Sequence, residues 1–214
     1  MEKRYSVIIF DLDGTLIDSM PYHVAAFKDL FKEHKIKIKN GELEELIGQP
    51  TIKIFEILKK KHKFKEKILD LREERRYHFF KFLGTQNIAF PGVMNTIKNL
   101  KKKYKVAVAT GSSRITFSHS TTLDFQRLFK EVITVDDVRR GKPAPDQLLL
   151  IAKKLKTKPS ECLMVGDSIF DHTAAKNAGM DSIGVLTGGS KKKDLLKAGA
   201  KQVIESVNDL NKFI

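Results

Sequence analysis

Asp11 and Asp13 stand one residue apart, directly after the apolar run Val7-Ile8-Ile9-Phe10 and directly before Gly14-Thr15. Two carboxylates in one crevice repel each other, so they require a cation or a proton between them. Hard oxygen donors with room for a phosphate point to magnesium. An isolated Asp-x-Asp pair is often no more than a solvated turn. Here a strand-length apolar run delivers it and a glycine lets the chain turn away, the arrangement expected at the carboxyl end of a buried strand. Open α/β sheets place their chemistry in that crevice.

Three further groups carry matching chemistry. Thr110-Gly111-Ser112 follows the run Val106-Ala107-Val108-Ala109. The Thr110 hydroxyl can donate to a phosphate oxygen, and backbone N–H groups at Gly111 and beyond would add donors at a helix start. Alone, such a triplet is more commonly a helix cap. Lys142 lies between Gly141 and Pro143, whose backbone restrictions aim its ammonium. Taken singly, a loop lysine is usually just solvated. Gly166-Asp167-Ser168-Ile169-Phe170-Asp171 follows the run Cys162-Leu163-Met164-Val165 and offers two carboxylates four residues apart. A helix starting near Ser168 would put Asp167 at the strand end and Asp171 one turn in. Helix capping by Asp167 is the competing reading.

The elements that must hold these groups divide the chain in two. Residues 18–88 show apolar spacing of three to four, as in Val24, Phe27, Leu30 and Phe31, with breaks at Asn40-Gly41 and Gly48-Gln49-Pro50. They predict a small bundle of about four helices. From Pro91-Gly92 the pattern alternates between helix and strand. Helices are expected over 93–103, 147–155 and 174–178, and strands over 105–109, 131–134, 162–165 and 182–185. With a first strand over 5–10, this predicts an α/β fold with a doubly wound parallel sheet, comprising 1–17 and 89–214. The bundle over 18–88 is then an insertion placed just after Asp-x-Asp.

Composition narrows the setting. The chain has 214 residues, enough to bury a core, and its 41% hydrophobic content is ordinary for a globular protein. No run approaches the roughly 18 apolar residues of a membrane span. The amino terminus leads straight into the first strand, so no signal peptide is expected. A single cysteine, Cys162, cannot form an internal disulfide and fits a reducing cytoplasm. The net charge of +14 invites a nucleic-acid reading. Its distribution weakens that reading: 16 Lys+Arg stand against 11 Asp+Glu over 17–88, and 22 against 12 over 89–214. A nucleic-acid partner is therefore disfavoured, and would demand a contiguous basic groove beside the catalytic crevice.

The ordered set Asp11-x-Asp13, Thr110, Lys142 and Gly166-Asp167-x-x-x-Asp171 resembles the haloacid dehalogenase superfamily, in its magnesium-dependent phosphatase and phosphomutase branch. The likeness spans essentially the whole chain and is nearest the phosphoglycolate-phosphatase-like and β-phosphoglucomutase-like group. It implies a Rossmann-like core with an all-helical cap domain. It further implies that Asp11 is the nucleophile toward phosphorus and Asp13 the general acid and base. Mg2+ would be held by the Asp11 carboxylate, the Asp13 backbone carbonyl and Asp167, with Asp171 behind them. Thr110, Gly111 and Lys142 would bind the transferring phosphoryl group. The dehalogenases that name the superfamily have no need of a second acid, so Asp13 argues against that reaction. Hexose-phosphate mutases of the group tend to carry an arginine in the cap loop, and Leu46-Ile47-Gly48-Gln49-Pro50-Thr51 has none. The expectation is thus a phosphatase acting on a small phosphorylated metabolite, with no membrane, as a monomer or weak homodimer; a mutase is the alternative. His23 resembles a hinge-region histidine of those mutases, although an exposed place on the first cap helix is favoured. Asp18-Ser19 is expected to open the crossing into the cap and to cap that helix.

Overall fold

The apolar runs become strands whose two faces are both covered. The computed structural model describes residues 5–39, 41–43, 45–47 and 49–214. Six strands form one sheet: β1 (Val7–Phe10), β2 (Lys105–Ala109), β3 (Glu131–Ile133), β4 (Cys162–Gly166), β5 (Asp181–Val185) and β6 (Gln202–Ile204). Their order is β3-β2-β1-β4-β5-β6, and every pair is parallel. The expected first strand begins two residues late, and β6 was not anticipated.

Helices α4 (Val93–Leu100), α5 (Arg114–Ser120), α6 (Leu123–Gln126), α7 (Asp146–Lys154), α8 (Ile169–Ala178) and α9 (Lys192–Ala198) alternate with the strands. Alternate strand residues point to one face. Val7 and Ile9, Ala107 and Ala109, and Cys162 and Met164 accordingly share a core with Leu148 and Ile151 of α7 and with Ala174 and Ala175 of α8. The other strand residues are equally buried, which is why these runs are continuous rather than alternating. The predicted helix over 93–103 stops at Leu100 and finishes in turns, leaving Lys101, Lys102 and Lys103 exposed.

The chain divides into two compact units, Met1–Asp18 with Asn87–Ile214, and Ser19–Gln86. Among the described residues the second unit holds three α-helices rather than about four: α1 (Met20–Glu33), α2 (Thr51–His62) and α3 (Ile68–Leu83). The described residues of the 41–47 stretch form turns that bury Leu43 beside Phe27, Phe31, Phe55 and Leu58. Gly41 adopts a left-handed φ of +82°, which breaks helical continuity there. Ser19 occupies the N-cap of α1, but its side chain makes no capping bond. His23 is not an exposed helix residue. Its Nδ1 meets an Arg75 guanidinium nitrogen at 2.9 Å and its ring stacks on Phe79 at 4.4 Å, all inside this unit.

The chain leaves the sheet unit and returns to it through one small knot of backbone. Asp18 N–H donates to the Ile88 carbonyl at 2.7 Å, Phe90 N–H to the Leu16 carbonyl at 3.0 Å, and Ile17 bridges Ala89 in antiparallel fashion. Among the described residues no helix is long and apolar enough to cross a membrane.

Candidate active site

Strand β1 is flanked by β2 on one side and β4 on the other, and the chain runs outward from it in both directions. That is the topological switch point at which open parallel sheets form a crevice beyond the strand carboxyl ends. Asp11 follows β1, Thr110 follows β2, Lys142 lies in the loop after β3, and Asp167 follows β4. Asp171 stands in the first turn of α8. The structure therefore gathers every residue expected at the site, from segments as much as 160 residues apart in sequence.

One carboxylate oxygen from each of Asp11, Asp167 and Asp171 lies within 4.8 Å of the others, and all three residues are buried. Burial raises the Asp11 carboxyl well above the usual range. Lys142 partly offsets this, while repulsion from Asp171, Asp167 and Asp13 adds to it. Asp167 is pushed up to about 7, first by burial and then by Asp171, against the opposing bond from Thr15. The Thr15 hydroxyl donates to Asp167 Oδ1 at 2.7 Å.

The single ammonium among these acids is fully engaged. Lys142 Nζ donates to Asp11 Oδ1 at 2.6 Å, Asp171 Oδ1 at 2.5 Å and the Ala109 carbonyl at 3.0 Å. An ammonium has three protons, so none is left over for a ligand in this arrangement. Burial alone would lower the Lys142 value, but Asp11 and Asp171 outweigh it and hold the group above the ordinary lysine range. Ser168 is the N-cap, and Asp171 closes a capping box by accepting from the Ser168 N–H at 3.0 Å and hydroxyl at 2.6 Å. Asp167 is free of that duty.

Asp13 faces a different set of partners. Its Oδ2 accepts from the Ser112 hydroxyl at 2.8 Å and from the Thr110 hydroxyl at 3.4 Å. The Thr110 hydroxyl also receives the Ser112 N–H at 3.0 Å. Gly111 borders open space: a Cβ placed there would have no neighbour within 4 Å. Ser112 and Thr15 were not singled out from the sequence, although each stands inside a motif that was. Gln147 gave no such signal. It is fully buried at the start of α7 and donates to the Thr110 carbonyl at 2.8 Å, fixing the end of β2.

The donor set fits a hard divalent cation. Three buried carboxylates, Asp11, Asp167 and Asp171, gather beside one ammonium that pairs with two of them, and every candidate ligand atom is oxygen. A nucleic-acid reading calls for a contiguous basic groove beside this crevice. A depression of about 400 Å3 lined by Lys101, Lys102, Lys103, Lys105 and Lys130 sits at the amino ends of β1 and β2, the opposite end of the strands.

Residues 8–185 match the haloacid dehalogenase-like hydrolase family. The chain is 29% identical over 186 residues to a fructose-1-phosphate phosphatase of Escherichia coli, covering 86% of this chain and 98% of that one. It is 28% identical to a pyrophosphatase of Oceanobacillus iheyensis, covering 95% and 94%. Among solved structures, a hydrolase from Pseudomonas syringae is 31% identical, covers 97% of both chains and superposes with a TM-score of 0.82.

Proposed function

The chain belongs to the haloacid dehalogenase-like hydrolase family as a phosphoric monoester hydrolase, and we propose on that premise that it is a magnesium-dependent phosphatase of small organic phosphates working through an aspartyl-phosphate. The observation that carries this reading is the buried set of Asp11, Asp167 and Asp171 around Lys142 at the switch point of the sheet.

In this mechanism an Asp11 carboxylate oxygen attacks phosphorus, and the bond from phosphorus to the ester oxygen breaks. The electron pair leaves on that oxygen, which takes the proton of the Asp13 carboxyl, because a free alkoxide is a poor leaving group at neutral pH. Water then attacks the phosphorus of the acyl phosphate and gives a proton to Asp13, and inorganic phosphate departs as Asp11 is restored. The Ser112 and Thr110 hydroxyls on Asp13 Oδ2 hold that carboxyl in one orientation. Lys142 keeps Asp11 aimed through its 2.6 Å bond and favours the ionised form against the burial that opposes it, and must surrender one of its three protein bonds to touch a phosphoryl oxygen. The open space beside Gly111 supports a place there for the transferring group, which the Thr110 hydroxyl would reach by giving up its 3.4 Å bond to Asp13. Asp11, Asp167 and the Asp13 carbonyl would hold Mg2+, with Asp171 behind them. Bound there, the ion supplies the positive charge that lets an anionic nucleophile approach an anionic phosphate.

A small phosphorylated metabolite as substrate, a monomeric or weakly dimeric state and a cytoplasmic setting belong to the same proposal. The setting is supported by the lone thiol of Cys162, which is free and buried.

The test is phosphate release from sugar phosphates, phosphoglycolate, nucleotides, pyrophosphate and an aryl phosphate, with Mg2+ and with chelator, beside Asp11→Ala. Mg2+-dependent release that the substitution abolishes is the expected result. Interconversion of hexose phosphates without net release would replace the phosphatase by a mutase. Folded protein inert toward the whole panel would overturn both.

A further inference from the structure

We propose that Thr187 and Gly188, in the loop leaving β5, are positioning residues that fix the Asp167 carboxylate for the divalent cation; the inference rests on the metal reading above. Two independent contacts bring this loop onto the site. The Thr187 hydroxyl donates to the Gly14 carbonyl at 2.6 Å and so ties the loop to the turn that carries Asp11 and Asp13. Gly188 then lies directly against Asp167. A Cβ built on it would stand 1.8 Å from Oδ2, 2.4 Å from Cγ and 2.6 Å from Cβ of that residue.

Rotation of the carboxylate about its own bonds does not relieve an approach of 2.6 Å to the aspartate Cβ. The other side of Asp167 is closed in the same way. Gly14, in a left-handed conformation at φ +78°, would place a Cβ 2.8 Å from Oδ2 and 3.0 Å from Cγ. The third wall is the Thr15 hydroxyl on Oδ1 at 2.7 Å. The Asp167 side chain thus sits in a slot made of two glycine backbones and one threonine, with the Thr187 bond holding the slot shut. Thr187 and Gly188 act through Asp167, the side chain that the slot holds. Outer partners of a metal ligand typically change affinity by about 10–100-fold when altered.

Mg2+ is titrated calorimetrically into the full chain, Gly188→Ala, Thr187→Val and Thr187→Ser, and the Mg2+ activation of aryl phosphate hydrolysis is followed beside it. Gly188→Ala should weaken Mg2+ by about 10–100-fold in both readouts while largely keeping kcat at saturating metal. Thr187→Val should shift the same way by about 10-fold, and Thr187→Ser should restore the parent value. A parent protein that takes up no Mg2+ overturns the metal reading and this inference together. A parent that binds Mg2+ while Gly188→Ala binds it equally well overturns the inference alone. Should Gly188→Ala fail to fold, Thr187→Val decides by the same criterion.

Discussion

Lys142 meets Asp171 at 2.5 Å, and the Asp171 side chain has no exposed surface. Its Oδ1 takes the ammonium while its Oδ2 takes both the N–H and the hydroxyl of Ser168. Both oxygens are therefore engaged by protein, although the residue lies within ligand distance of Asp11 and Asp167. Asp167 has one oxygen engaged by Thr15, and the pair differ accordingly in what each can offer a cation.

Asp167→Asn should weaken Mg2+ far more than Asp171→Asn. The first removes charge from a proposed direct ligand; the second removes it from a group already turned to protein. Asp171→Ala should instead cost stability, by about 3 kcal/mol, because it removes the Asp171 half of the capping box of α8 and strips a buried ammonium of one partner. Calorimetric Mg2+ affinity and urea unfolding separate the two effects. Equal Mg2+ loss in Asp167→Asn and Asp171→Asn would contradict this division of roles.

Lys142→Met should destabilise the metal-free protein by about 3–5 kcal/mol, since it leaves Asp11 and Asp171 buried without a counter-charge. Added Mg2+ should recover part of that loss. Lys142→Arg should not restore activity: three acceptors converge on one point, which suits an ammonium and not a planar fork. Denaturant midpoints with and without Mg2+, together with turnover, check both statements.

Ser112→Ala removes the shorter of the two hydroxyl bonds on Asp13 Oδ2, 2.8 Å against 3.4 Å from Thr110. Turnover should fall by about 10-fold while Asp13→Asn falls by about 10²–10⁴-fold, the range of general acid catalysis. The loss should be greatest for alkyl phosphates and least for an aryl phosphate, whose leaving group needs little protonation. A uniform loss across leaving groups would place Ser112 in substrate binding instead.

Burial, and then the charge of Glu161, push the Cys162 thiol up to about 11. An acid whose folded value lies above its unfolded value of about 8.5 keeps its proton after the unfolded chain has lost it. The folded state then binds more protons, so stability is unaffected below about pH 8.5 and falls as pH rises toward 11, by at most about 1.4 kcal/mol per unit. Subtracting the profile of Cys162→Ala isolates this slope from the lysines that titrate nearby. The native thiol should also resist alkylation at pH 8 until the protein is unfolded.

The sequence was most legible where one physical demand ruled. Val7–Phe10 had to be a buried strand, since four consecutive apolar residues before Asp-x-Asp have no amphipathic alternative. The ordered acids and Lys142 converged because a parallel sheet brings all strand carboxyl ends to one edge. What escaped was set by tertiary contact. Gln202–Ile204 is only three residues long and becomes a strand by pairing with β5. The fourth expected helix of the bundle is missing among the described residues, where the chain turns about Gly41 at the break read at Asn40-Gly41. His23 looked like a surface residue because its partner, Arg75, lies 52 positions away. Gly188 is silent in sequence, as its meaning is the atom it lacks.

The bonds of Asp18 to Ile88 and of Phe90 to Leu16 close a ring in the chain. From the side of the sheet, everything from Ser19 to Gln86 is a single loop whose ends are already joined. The entropy of closing such a loop grows only with the logarithm of its length, about 0.6 kcal/mol for each doubling. The strand register and the acids beyond it are therefore nearly indifferent to how much chain hangs from that point. A helical unit of another size, with other side chains, can be exchanged there as a cassette, and the thermodynamic penalty for trying different ones is small.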